Sequence, residues 1–147
     1  MWIPSILKAS ARKPGGNRAG LLVVTRDDRL FYSLFAASLD IGWSIRRART
    51  FEEAWKGLRS QPAPVVVYDE RLPRADWRDA LRSFSSFPGR PLVFLAAPEV
   101  DEDIWRTVLH CHGYDAVKRS AGGNEWIRVL RFAWLSRKAP AYPSTPC

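Results

Sequence analysis

Two short polar segments sit where chemistry is most readily built. Thr25-Arg26-Asp27-Asp28 follows the wholly apolar run Leu21-Leu22-Val23-Val24, and Asp69 follows Val65-Val66-Val67-Tyr68. Two further run ends bear on them: Ala96-Ala97 after Leu92-Val93-Phe94-Leu95, and Lys118-Arg119 after a short run at 114–117. These are carboxylates, guanidinium groups and one ammonium. Carboxylates can pair with a guanidinium in two-point geometry, hold a hard cation or act as nucleophiles. In open parallel sheets, sites lie at the carboxyl ends of strands, near the point where strand order reverses.

Rival constellations are weaker. His110-Cys111-His112 suggests a metal, but residues two apart do not share a helix face, and no acid or second cysteine lies at ligand spacing. A helix end with polar residues explains it better. Gly15-Gly16 and Gly122-Gly123 lack the strand-turn-helix context of a phosphate loop. No serine–histidine–acid arrangement stands out, and no catalytic constellation marks an enzyme. Cys111 and Cys147 fit no disulfide framework and read as free thiols in a reducing compartment. Of seven tryptophans, Trp55, Trp105, Trp126 and Trp134 fall at core-like helical spacings. Trp77 is expected in a loop after Asp69, where an exposed ring could anchor a partner.

The elements that would position these residues alternate in period. Each apolar run of four reads as a strand covered on both faces. Leu30, Phe31, Leu34, Phe35 and Leu39 recur at helical spacing after a cap at Asp27 or Asp28. Gly42 breaks that helix, and a second strand begins at Trp43-Ser44-Ile45. Thr50 and Glu53 form a capping box for a second helix through Ala54, Trp55 and Leu58. A third helix follows Asp76, with Trp77, Leu81 and Phe84 on one face. Asp101-Glu102-Asp103 places negative charge at the start of a fourth, where the helix dipole favours it; Ile104, Trp105, Val108 and Leu109 form its apolar side. Asn124 can cap a last helix with Ile127, Leu130 and Trp134 inward. Five strands alternating with five helices predict an α/β fold, a parallel sheet with helices on both faces.

The chain has 147 residues, 46% of them hydrophobic and 12% aromatic, which is enough for one buried core and excludes disorder of the whole. No apolar run reaches the length of a spanning helix. The start, MWIPSILKAS, makes a poor secretion signal, so a cytoplasmic protein without membrane contact is expected. The net charge of +8 is confined to the ends. Residues 1–20 and 128–147 carry basic residues and no acid, while 21–127 are formally neutral. Basic ends can hold nucleic acid, but these show little aromatic interleaving, with only Trp2, Trp134 and Tyr142, so solubility is the preferred reading. The expected layout is a basic flexible leader at 1–20, a domain at 21–136 and a proline-rich tail at 137–147.

Over roughly residues 21–135 the chain resembles a CheY-like receiver domain of bacterial response regulators. The segment VVVYDERLPRADW (65–77) matches the family's third strand, phosphorylated aspartate and Leu-Pro loop. The resemblance implies a three-layer α/β/α sandwich on a sheet of order 2-1-3-4-5, with Asp69 at the phosphoacceptor position. It also implies Mg²⁺ held by acids after the first strand, a Ser or Thr after the fourth and a Lys after the fifth. The metal lets a carboxylate approach an anionic phosphoryl group, and the lysine and hydroxyl complete a charge clamp.

Here the expected parts are replaced. Thr25 and Arg26 stand where the family has its acids, and arginine cannot hold Mg²⁺. Ala96, followed by Ala97, lacks the hydroxyl. The basic position is Lys118 by counting from Ala96, or Arg119 by matching Tyr114-Asp115, and the second is preferred; only one can face the site. Ala116 then takes the family's aromatic position. Arg26 is expected to pair with Asp69 where the metal would lie, keeping Asp69 ionised. Asp27 or Asp28 could instead turn in to hold a metal, although both are more useful as caps. The resulting expectation is a stand-alone degenerate receiver with no cofactor. It would act in signal transduction by binding a protein such as a histidine kinase, with weak or absent phosphorylation and with a homodimer allowed. A working phosphoacceptor modified on Asp69 by a histidine kinase is the alternative. Nucleic-acid binding through the basic termini is a third, although about a dozen residues after the last helix cannot build a helix-turn-helix.

Overall fold

The computed structural model describes residues 19–138. What is expected of residues 1–18 and 139–147 lies outside them. Five parallel strands form one sheet: β1 (Gly20–Val24), β2 (Ser44–Ala48), β3 (Val65–Asp69), β4 (Leu92–Ala97) and β5 (Asp115–Lys118), in the order β2-β1-β3-β4-β5. Five helices connect and follow them: α1 (Asp28–Ile41), α2 (Phe51–Ser60), α3 (Trp77–Ser85), α4 (Glu102–His110) and α5 (Gly123–Lys138). The order reverses at β1, as the βαβ connections require. No helix among the described residues is long and apolar enough to cross a membrane.

The strands sort their residues by parity, because successive side chains point to opposite faces. Leu22, Val24, Val66, Tyr68 and Leu95 pack with Leu58 of α2, Phe84 of α3 and Val108 of α4. Leu21, Val23, Val67, Phe94 and Val117 pack with Leu30 and Leu34 of α1 and Trp126 and Leu130 of α5. Each face therefore has its own core, and the sheet lies between them.

Local signals set the helix starts. Asp27 caps α1 by accepting from the Arg29 N–H, Asp76 caps α3 and Asp101 caps α4. Thr50 accepts from the Glu53 N–H at the start of α2, while the Glu53 carboxylate reaches back to the Arg49 N–H, one residue before the cap. Gly42 ends α1 in the left-handed conformation (φ 76°), which glycine adopts without strain. Asn124 lies inside α5, which already begins at Gly123, so it is not the cap. β5 runs one residue later than expected, and α5 passes residue 136.

The tryptophans divide differently from expectation. Trp126 is fully buried. Trp77 is not an exposed loop residue: it is the first residue of α3, buried, with the Arg78 guanidinium 4.8 Å from its ring centre. Trp105 is 47% exposed, and Leu39 and Leu109 are also exposed. Their apolar stripes are wider than the strip each helix buries; α4 buries only Val108 completely.

Candidate functional site

Parity brings three side chains together beyond the carboxyl ends of the strands. Thr25 continues the alternation of Leu21 and Val23, Asp69 that of Val65 and Val67, and Arg119 that of Val117. All three thus point toward the α1/α5 side. The ladders extend far enough to hold them: the Thr25 N–H donates to the Ala48 carbonyl at 2.9 Å, and the Arg119 N–H to the Ala97 carbonyl at 2.8 Å.

Asp69 is 2% exposed, and both of its oxygens are doubly engaged. Oδ1 accepts from Arg119 Nε at 2.9 Å and from the Arg71 N–H at 2.9 Å. Oδ2 accepts from Arg119 Nη2 at 2.9 Å and from the Thr25 hydroxyl at 2.6 Å. A carboxylate offers about four lone-pair directions, so every one is taken. Arg119 Nη2 also donates to Asp27 Oδ2 at 2.8 Å, and the Asp27 N–H donates to Thr25 Oγ1 at 2.9 Å. Asp27, Thr25, Asp69 and Arg119 thereby form a closed ring across the ends of three strands.

The electrostatics follow from that ring. Burial alone would raise the Asp69 pKa. The Arg119 guanidinium, the Thr25 hydroxyl and the Arg71 N–H outweigh it and hold the carboxyl below its ordinary range. Asp27 is treated similarly: burial pushes upward, and the Arg29 N–H and Arg119 pull it lower. Arg119 is raised, chiefly by its bond to Asp69.

The expected Arg26–Asp69 pair does not form. Arg26 shares the parity of Val24, is exposed, and makes no hydrogen bond or ion pair among the described residues. Arg119 takes the role instead, reaching in from the end of β5. Lys118 faces the other way, its Nζ 3.8 Å from Glu99. Ala96 lies beside Asp69 in the β3–β4 register and is fully buried, so no hydroxyl stands there. Asp28 is outside the site and pairs with Arg47 at 2.9 Å. Asp27 does turn inward, onto Arg119. Two participants were not expected: the Thr25 hydroxyl as a donor, and the Arg71 N–H.

Solved structures share this architecture. The chemotaxis response regulator CheY4 of Vibrio cholerae matches with a TM-score of 0.72 at 11% identity, over 79% of this chain and 98% of that one. This chain has the CheY-like receiver fold. A response regulator from Thermotoga maritima matches at 0.73 and 18% identity, over 81% of this chain and 98% of its own. The beryllofluoride-activated NtrC4 receiver domain dimer matches at 0.72 and 19% identity, over 80% and 97%. No family model matches the sequence, and no curated protein matches it. In this receiver fold Asp69 ends the third strand and the ring occupies the switch point beside β1.

Proposed function

We propose that the chain is a degenerate receiver. It acts in signal transduction by binding a protein partner rather than by catalysis, with phosphorylation of Asp69 weak or absent. The supporting observation is that all four acceptor directions of Asp69 are engaged. A carboxylate attacks a phosphoryl group through a lone pair, and here each lone pair faces a donor. Attack would require the Arg119 fork to leave a buried anion, which costs several kcal/mol when its partner is removed.

The Mg²⁺ of the resemblance does not fit these residues. Octahedral Mg²⁺ takes oxygens converging on one point. The oxygens of Asp27 and Asp69 converge instead on the Arg119 guanidinium, and no group of three or more His, Cys, Asp or Glu residues gathers among the described residues. Guanidinium supplies the fixed positive charge and repels a divalent ion.

Incubation with acetyl phosphate and Mg²⁺, followed by intact-mass measurement, tests the reading. No phosphoryl mass gain is expected under conditions that modify a competent receiver. A gain that disappears in Asp69→Ala would overturn it and install the phosphoacceptor alternative.

A further inference from the structure

The mouth above the Asp69–Arg119 pair carries more cations than the pair needs. Two adjoining cavities open there, about 270 Å³ and about 450 Å³, sharing Asp27, Arg71 and Arg119. Arg26 and Leu72 line the first; Arg29, Ser33, Pro98 and Ser120 line the second. Both aspartates are already paired with Arg119, whose single charge balances one of them. The guanidinium groups of Arg26, Arg29 and Arg71 make no hydrogen bond or ion pair among the described residues. Arg119 Nη1 likewise donates to none of them.

Four arginines against two aspartates in one concavity leave a positive potential that low-dielectric walls concentrate. Its unsatisfied groups are donors: planar guanidinium forks, which match phosphate oxygens in two-point geometry, and the Ser33 and Ser120 hydroxyls. No aromatic ring lines either cavity, so nothing there offers a stacking platform for a base. The combined space suits a small ligand.

We infer that this mouth is a non-covalent binding site for a pyrophosphate-type group, held by Arg26, Arg29 and Arg71 above the closed ring. The inference rests on the proposed reading of Asp69. A carboxylate released from Arg119 would add an uncompensated negative charge to the same cavity and oppose the ligand. A ligand bound this way would contact the loops after β1 and β3 together. It would give the chain a ligand input without acyl-phosphate chemistry.

Isothermal titration of the full chain with inorganic pyrophosphate in metal-free buffer tests the site. Saturable binding is expected at low salt, weakened at roughly 0.5 M, where screening reaches within a few ångströms. Arg71→Gln and Arg29→Gln, both at exposed positions, should each weaken it about tenfold, the loss of one charge-assisted pair. Arg82→Gln on α3 should leave it unchanged. ADP should bind no tighter than pyrophosphate, since the nucleoside finds no ring to stack on. Absence of saturable binding, equal affinity in Arg71→Gln, or ADP binding far tighter than pyrophosphate would each overturn the inference. An acetyl-phosphate mass gain at Asp69 would remove the reading beneath it. Failure to bind pyrophosphate with Asp69 unmodified would remove this inference alone.

Discussion

Asp69 and Arg119 are each other's main compensation for burial, with side chains 3% and 14% exposed. Arg119→Ala would leave a buried carboxylate with only Thr25 and one backbone N–H, and should destabilise the fold by about 3 kcal/mol near neutral pH. Its pH dependence separates this cause from lost packing. In the wild type both carboxyls titrate below their unfolded values, so their contribution is complete above about pH 4. It is lost as pH falls through the lower folded values. In the variant, burial dominates and the Asp69 pKa rises above its unfolded value, so acidification should favour the folded state. Urea unfolding near pH 7 and near pH 4 should show the deficit shrinking in acid; a constant deficit would refute the assignment. The sequence located Asp69, Thr25, Ala96 and the Lys118/Arg119 choice, but chose the wrong arginine as partner. A strand apolar on every residue gives no hint of which face is which. The parity that points Thr25 inward and Arg26 outward becomes visible only once the sheet is packed.

Helices were more legible than their buried faces. Gly42, the caps at Asp27, Thr50 and Asp76, and the acidic start at Asp101 punctuate the chain clearly, and the elements fall where these signals put them. The apolar stripes mislead because a stripe says which side is apolar and not how far the neighbour reaches. α4 and α5 each leave aromatic surface uncovered, Trp105 on one and Phe132, 66% exposed, on the other. Between them lies a cleft of about 500 Å³, also lined by Tyr114 and Val129. Truncation should expose the difference. Trp126→Ala, in the core beneath α5, should cost about 3–5 kcal/mol, and Trp105→Ala under about 1 kcal/mol, by chemical denaturation. Equal costs would mean that α4 is packed more deeply than its exposure indicates.

At the scale of the molecule, the order of elements was legible because short apolar runs alternating with helical periods leave few topologies for a parallel sheet. The edges are also guarded by charge: Arg46 and Arg47 on β2, Asp115 and Lys118 on the four-residue β5. What the alternation of runs could not convey is how the far end of the sheet is closed. Connecting segments at such an end are ordinarily the earliest to open. Here the N–H groups of Asp27 and Arg71, both outside the strands, are tied to Thr25 and Asp69. Exposing the Asp27 amide opens one side of the four-residue ring, and exposing the Arg71 amide removes one of the four donors that compensate the buried Asp69 carboxylate. Native-state hydrogen exchange should therefore find these two loop amides among the slowly exchanging positions, and Arg119→Ala should release both at once. The rim of this sheet would then behave as part of its interior, opening only when much of the molecule does.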